Sequence, residues 1–168
     1  MKYAITGHTS GIGKAVYDTL GEDIIGFSKS TGYDITDRDT RLKILHEIED
    51  CDVFINCVSV GFAQTEMLID YFDRYKDTDK TILNIGSRVA EVILPQTHTH
   101  LVDYQAQKRS LKITIDDLNA IGCPINIKYV WFGYVGTERI LKKYPDLTDY
   151  TTIEECVDNI LKESRNDG

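Results

Sequence analysis

The chain has 168 residues with 19 basic and 27 acidic side chains, which gives a formal charge of −8. This length predicts a single globular domain over residues 1–168, and a composition of 42% hydrophobic and 27% charged residues excludes a disordered chain. The negative charge argues against a nucleic-acid-binding protein, which needs clustered Lys and Arg, and against binding to an anionic membrane surface.

The four cysteines show neither a CxxC pair nor any other paired spacing; they are Cys51, Cys57, Cys123 and Cys156. We therefore expect no zinc site and no disulfide framework, and we interpret them as small buried residues in a reducing cytosol. Because the first strand pattern begins at Lys2, we expect no targeting segment and a cytoplasmic location.

Apolar runs alternate with helical patterns along the whole chain, which predicts an α/β fold with a mainly parallel sheet. Six strands are expected, at residues 2–6, 23–28, 33–35, 53–58, 81–86 and 124–131. Most of these runs are apolar throughout, as in strands that are buried on both faces. The expected architecture is a Rossmann-like three-layer α/β/α sandwich with a six-stranded sheet.

Five helices are predicted between these strands, at about residues 12–20, 38–49, 65–75, 102–121 and 153–164. The second helix shows an [ST]-x-x-[DE] start at Thr36 and Asp39. Its inward-facing residues are expected to be Leu42, Leu45 and Ile48.

A glycine-rich segment follows the first strand and runs directly into the first helix. A dinucleotide pyrophosphate is anionic, and a helix N-terminus offers it free N–H groups and the positive end of the helix dipole. Side chains at the three glycines would hold the phosphates away or forbid the turn. The position between a strand and an amphipathic helix therefore predicts a cofactor-binding loop. Its residues are Gly7, His8, Thr9, Ser10, Gly11, Ile12 and Gly13.

A Y-x-x-x-K pattern occurs in the fourth predicted helix. Tyr104 and Lys108 are four residues apart, so their side chains lie on one face of the helix. A tyrosine normally titrates near pH 10, and a neighbouring ammonium group stabilises the phenolate form. Upstream, an apolar strand closes on Asn84-Ile85-Gly86-Ser87.

The order of these motifs resembles that of the short-chain dehydrogenase/reductase superfamily. The T-G-x-x-x-G-I-G spacing, the N-I-G-S segment and the Y-x-x-x-K pattern match from Met1 to about Thr137, in a chain that is short for this family. The resemblance implies a catalytic set in which Ser87 binds the substrate oxygen, Tyr104 transfers a proton, and Lys108 tunes Tyr104 and binds the nicotinamide ribose. The implied reaction is hydride transfer between a nicotinamide cofactor and a small carbonyl or alcohol substrate.

The end of the second strand bears on the choice of cofactor. NAD-selective sites place an Asp or Glu there to bind the ribose 2′-hydroxyl, and this segment has no carboxylate. Lys29 and Ser28, with His8 as a further donor, fit a 2′-phosphate better, so we expect NADP(H) to be preferred and NAD(H) to be possible. The other cofactor-binding residues implied by the resemblance are Asp34, Ile35, Asn56, Val58, Tyr104, Lys108, Val135 and Thr137.

The chain departs from the family pattern in several places. After the fourth predicted strand, only Asn56 matches the family's N-N-A-G, and Phe132 replaces the usual Pro. The loop before Tyr104 is long and carries His98 and His100, which we expect to line or cover the substrate cleft. No metal is expected there, because an i, i+2 pair lacks a third ligand. The Asn that many relatives carry in the helix after the fourth strand has no secure counterpart.

Two alternative functions stay open at this point. One is a non-catalytic NADP(H)-binding sensor or interaction protein, favoured by the altered segment 56–59 but disfavoured by the intact Ser87, Tyr104 and Lys108. The other is a nucleotide-sugar epimerase or dehydratase, although those enzymes usually show T-G-x-x-G-x-x-G and a C-terminal sugar-binding domain. The expected partners are a small-molecule substrate and a further copy of the chain in a dimer or tetramer.

Overall fold

Five parallel strands form one sheet in the computed structural model, which describes residues 1–165. The strands are β1 (Tyr3–Thr6), β2 (Ile24–Phe27), β3 (Val53–Asn56), β4 (Thr81–Ser87) and β5 (Asn126–Phe132). They are arranged in the order β2-β1-β3-β4-β5, and all neighbouring pairs are parallel. The carboxyl ends of all the strands therefore lie at one edge of the sheet.

Helices cover both faces of this sheet. They are α1 (Gly11–Leu20), α2 (Arg38–Glu47), α3 (Ala63–Tyr75), α4 (Val102–Ile121), α5 (Glu138–Lys143) and α6 (Ile153–Ser164). Buried side chains of α1 and α6 pack on one face, and those of α2, α3 and α4 pack on the other. The three-layer α/β/α architecture expected from the sequence is confirmed. Within residues 1–165, no helix combines the length and the apolar character needed to cross a membrane.

The strands are apolar throughout because both faces of the sheet are covered. Successive side chains of a strand point to opposite faces. In β1, Ala4 packs against the layer formed by α2, α3 and α4, and Ile5 packs against the layer formed by α1 and α6. In β3, Phe54 and Ile55 divide in the same way, and all four are fully buried.

Helix α2 begins at Arg38, as its sequence pattern predicts, and ends at Glu47, two residues before the predicted end. Its N-cap is Asp37, whose carboxylate accepts the backbone N–H of Thr40 at 3.0 Å, so the capping start predicted at Thr36 is wrong by one residue. The predicted inward orientation of Leu42 is also wrong, because its side chain is exposed. Leu45 and Ile48 are buried as expected, although Ile48 follows the last helical residue.

The predicted short strand at residues 33–35 is absent, so the sheet has five strands and not six. The segment forms a turn instead. The carboxylate of Asp34 accepts both the N–H and the hydroxyl of Thr36, at 3.0 and 2.7 Å. These local bonds compete with strand pairing, and Asp37 then opens α2 directly. A brief 3₁₀ helix, Lys29–Thr31, is all that separates β2 from this turn.

Arg41 holds this turn in place through hydrogen bonds and ion pairs of its side chain. Its buried guanidinium donates to the carbonyl oxygen of Ile35 at 2.9 Å and to the carboxylate of Asp70 at 2.7 Å. It also pairs with Glu66 at 2.9 Å. The turn is thereby tied to both α2 and α3 through one side chain.

We expect Arg41→Met to lower the free energy of unfolding by about 3 kcal/mol, because Asp70 would be left buried without its partner. Urea unfolding measures the change. The matched control is Arg38→Met on the exposed first turn of α2, which should change the free energy by no more than about 0.5 kcal/mol. Adding Asp70→Leu to Arg41→Met should restore part of the loss. A loss for Arg41→Met as small as that for Arg38→Met would contradict the role of this ion pair.

Candidate active site

The glycine loop folds so closely on itself that side chains cannot be added to it. Gly7 has a φ of 80°, and a Cβ there would lie 2.8 Å from a methyl carbon of Val58. A Cβ on Gly13 would lie 2.1 Å from the carbonyl oxygen of Gly7. Ser10 is the N-cap of α1, and its side chain makes no capping bond. The N–H groups of the first helical turn are therefore available to an anionic ligand, as a dinucleotide phosphate requires.

An open cavity of about 580 Å³ lies beside this loop, at the carboxyl ends of β1 and β2. Its volume is within the usual range for a small-molecule or cofactor site. Many of the cofactor-binding residues predicted from the sequence line it together, from four separate segments of the chain. These residues are Gly7, Thr9, Ser28, Lys29, Asp34, Ile35 and Val58.

One end of the cavity carries a cluster of hydroxyl groups beside a lysine. The Oγ atoms of Ser28 and Ser30 are 2.8 Å apart, and Ser30 donates to the hydroxyl oxygen of Thr9 at 3.3 Å. Lys29 is 83% exposed, and its ammonium lies 3.5 Å from the carboxylate of Asp34. Hydrogen bonds from Thr36 are the main reason that the pKa of Asp34 lies below its ordinary value, so its carboxylate stays ionised. The cluster offers several donors and one mobile cation to an oxyanion.

His8 faces away from solvent although it belongs to the glycine loop. Its ring lies 4.8 Å from the ring of Tyr17, and a Cβ on Gly26 would lie within 2.2 Å of it. Its Nδ1 atom is buried and has no hydrogen-bond partner within residues 1–165. The imidazole therefore packs between α1 and β2.

Tyr104 and Lys108 lie on one face of α4, as their spacing predicts. Tyr104 is 38% exposed, whereas Lys108 is 3% exposed, and the Lys108 ammonium lies 5.8 Å from the centre of the Tyr104 ring. Burial lowers the pKa of Lys108 from its ordinary 10.5 to about 8. A buried cation is thus placed beside the ring of a tyrosine that is partly exposed to solvent.

Gln64 is a further residue of this site that the sequence analysis did not identify. It lies in the first turn of α3, and its Oε1 atom accepts from the Lys108 ammonium at 2.9 Å. Its Nε2 atom donates to the carbonyl oxygens of Asn56 and Ile85, both at 2.8 Å. The signal was present, because Gln64 stands four and seven residues before Leu68 and Tyr71, on the buried stripe of α3. A Gln in such a stripe needs a buried hydrogen-bond partner.

Asn56 has its side chain in the interior, next to Gln64. Its amide nitrogen donates to the backbone carbonyl of Gln64 and to the side-chain oxygen of Asn84, both at 2.9 Å. Asn84 in turn donates to the carbonyl oxygen of Lys128 at 3.2 Å. The carboxyl end of β3 and the middles of β4 and β5 are therefore joined by one chain of buried amides.

Ser87 ends β4, and its segment is fastened to α4. Its Oγ atom accepts the N–H of Val89 at 3.3 Å, which leaves its own O–H free to donate. Gln105 donates to the carbonyl oxygens of Val89 and Val92 at 3.0 and 2.8 Å. Arg109 holds the Val92 carbonyl as well, at 2.8 Å. The residues directly after Tyr104 and Lys108 thus fix the segment that follows Ser87.

The segment after β5 approaches the glycine loop. The methyl group of Thr137 lies 4.0 Å from the position of a Cβ on Gly11. Val135 is buried and pairs with Thr151 in an isolated parallel bridge. Together with the loop, this brings Val135 and Thr137 to the same edge of the sheet.

A second groove, of about 420 Å³, lies at the end of β5. It is lined by Arg88, directly after Ser87, and by the aromatic side chains of Trp131, Tyr134 and Tyr150. His98 and His100 are exposed in the 3₁₀ segment Gln96–Leu101, with ring centres 5.8 Å apart. Across residues 1–165, no group of three or more His, Cys, Asp or Glu side chains is placed to hold a metal ion.

No protein-family model matches the sequence, and no curated protein matches it at a significant level. Solved structures do match its fold. A 3-alpha-hydroxysteroid dehydrogenase from Pseudomonas sp. B-0831, complexed with NADH, is 17% identical with a TM-score of 0.74, over 99% of this chain and 90% of that chain. A short chain dehydrogenase from Burkholderia cenocepacia J2315, in complex with NADP, is 16% identical with a TM-score of 0.76, over 96% and 84%.

A third structure, a small-chain dehydrogenase in complex with NADPH, is 18% identical with a TM-score of 0.76, over 99% of this chain and 91% of that chain. The chain therefore has the same fold as these dehydrogenases. At these identities the likeness establishes the fold and not the function.

We expect the buried Lys108 to make the stability of the domain depend on pH. Between about pH 8 and pH 10.5 the unfolded chain holds a proton at this lysine that the folded chain has lost. The free energy of unfolding of the wild type should therefore rise across this window by roughly 2 kcal/mol relative to that of Lys108→Met.

Urea unfolding at several pH values, with Lys142→Met as the control at an exposed lysine, measures this difference. Parallel pH curves for Lys108→Met and the wild type would contradict a depressed pKa at Lys108.

Proposed function

We propose that the protein is an NADP(H)-dependent oxidoreductase that interconverts a small carbonyl compound and its alcohol. The observation that carries this proposal is the buried ammonium of Lys108 beside the exposed ring of Tyr104. The three solved structures described above hold NADH, NADP or NADPH, which supports a nicotinamide cofactor without choosing between the two kinds.

The residues of the cavity fit such a cofactor. The glycine loop and the free N–H groups at the start of α1 would bind the pyrophosphate, and Asp34 and Ile35 would contact the adenine. Lys29, Ser28, Ser30 and Thr9 are the groups that favour a 2′-phosphate over a hydroxyl. When bound, the nicotinamide supplies or accepts the hydride.

The protein's own residues would handle the substrate oxygen and its proton. In the reducing direction, Tyr104 donates its hydroxyl proton to the carbonyl oxygen, and Ser87 donates a hydrogen bond to the same oxygen. Two N–H groups of Lys108 are taken by Gln64 and by the carbonyl oxygen of Ile85. The third is free to bind a ribose hydroxyl, while the positive charge stabilises the phenolate that Tyr104 becomes.

The groove lined by Arg88 is the best candidate for the substrate. Arg88 adjoins Ser87 in sequence, and Tyr150 supplies one of the aromatic walls. The groove is open and has aromatic walls, which suits a small organic molecule. The expected cytoplasmic location and homo-oligomeric state stay predictions.

Replacing Lys29 should change the choice of cofactor. We expect Lys29→Ala to weaken NADPH binding roughly tenfold and to leave NADH binding unchanged, because only the 2′-phosphate interacts with this charge. Thermal shift and fluorescence titration with NADPH, NADP, NADH and NAD measure the effect. Lys43→Ala, at an exposed lysine outside the cavity, is the control. Tighter binding of NADH than of NADPH by the wild type would overturn the NADP(H) preference.

Removing one hydroxyl group tests the enzymatic function itself. Tyr104→Phe should lower kcat for NADPH-dependent reduction of diacetyl or benzaldehyde at least about 100-fold, because no proton donor remains. The dissociation constant for NADPH should change less than about twofold. Tyr144→Phe, at another exposed tyrosine, should keep full activity. A fully active Tyr104→Phe protein would refute the mechanism, and no thermal shift with any cofactor would refute the oxidoreductase.

A further inference from the structure

The contacts of Gln64 leave its side chain no freedom to rearrange. Both of its Nε2 hydrogens are used, one on the carbonyl oxygen of Asn56 at the end of β3 and one on that of Ile85 in β4. This fixes the amide orientation and turns Oε1 toward the Lys108 ammonium at 2.9 Å. Gln64 itself is 3% exposed. The position of the Lys108 ammonium is thus set by two strands and by the start of α3.

The groups around the Lys108 ammonium are all uncharged. Its hydrogen-bond acceptors are the Gln64 amide and the Ile85 carbonyl, and no carboxylate within residues 1–165 lies in ion-pair range of it. Two titratable groups face it. One is the thiol of Cys57, whose pKa burial raises to about 11, and the other is the hydroxyl of Tyr104. The positive charge is therefore not cancelled by the protein.

A buried ammonium without a counter-ion is costly, so its retention needs a reason. In a medium of low dielectric constant, an uncancelled charge acts strongly on its neighbours. A carboxylate at position 64 would hold the ammonium more tightly, but it would also cancel the field at Tyr104. An amide has the same size and holds the ammonium without cancelling its charge.

We propose that Gln64 is a positioning residue, whose neutral amide holds Lys108 beside Tyr104 while leaving the lysine charge free to stabilise the Tyr104 phenolate. The inference rests on the proposed oxidoreductase function and extends it to a residue outside the Ser87, Tyr104 and Lys108 set. It makes the charge of residue 64, and not only its size, decisive for turnover.

Two variants separate charge from shape. Gln64→Glu keeps the size and adds a negative charge, so kcat for NADPH-dependent reduction of diacetyl should fall at least tenfold. The alkaline limb of the kcat profile should move to higher pH by at least one unit, because Tyr104 must be protonated to donate and its phenolate is less stabilised. Gln64→Met removes the acceptor without adding charge, and it should lower kcat without that upward shift. Gln96→Glu, the same change on an exposed residue, should behave as the wild type.

A readout that does not depend on activity uses the cofactor-free protein. In Gln64→Glu the lysine would stay protonated to higher pH, so the wild-type gain in stability between about pH 8 and 10.5 should disappear. NADPH should still bind to this variant with a dissociation constant within about threefold of the wild-type value.

The outcomes distinguish this inference from the function on which it rests. Identical pH profiles for Gln64→Glu and Gln64→Met would mean a purely structural role and would overturn the inference alone. A Gln64→Met variant with the kcat of the wild type would also overturn the inference alone. This outcome can be read even if Gln64→Glu does not fold. A wild-type protein that binds NADPH but reduces neither diacetyl nor benzaldehyde overturns the proposed function, and with it this role of Gln64.

Discussion

The ammonium group of Lys108 is a positive charge buried among neutral acceptors, and the arrangement of the site depends on holding it there. Lys108 bonds to Gln64 and to the carbonyl oxygen of Ile85, so α4, α3 and β4 meet at one atom. Burial lowers its pKa to about 8, so most of the ammonium is protonated at neutral pH and loses its proton above about pH 8. In the proposed mechanism this charge would act on Tyr104, because no carboxylate within residues 1–165 lies in ion-pair range of Lys108.

The rest of the fold brings the carboxyl ends of β1, β3 and β4 to one edge of the sheet in a short chain. The sheet has five strands, yet the glycine loop, β3 and β4 all end at the edge where the cavity lies. Strand β2 forms an edge of the sheet, with no further strand paired to it within residues 1–165. On this side the buried Arg41 ties the turn at Ile35 to α2 and α3. One ion-paired side chain therefore supports the wall of the cavity that includes Asp34 and Ile35.

Local signals made part of this structure predictable. The glycine spacing, the Y-x-x-x-K pattern and the bounds of α4 and α6 come from short-range chemistry, namely a tight turn, helical periodicity and helix caps. The strand expected at residues 33–35 did not form, because hydrogen bonds from Thr36 to the Asp34 carboxylate fix this segment as a turn. Gln64 could not be assigned a partner from sequence, since Lys108 is 44 positions away and meets it only through the packing of α3 on α4.

The most direct test of this account is the titration of Lys108 itself, followed by NMR of the lysine 13Cε signals and assigned with Lys108→Met. We expect Lys108 to show a pKa of about 8 in the cofactor-free protein, well below the ordinary lysine value of 10.5. A Lys108 signal that titrates at the ordinary lysine value of 10.5 would show that the charge is not buried as described and would contradict the central claim.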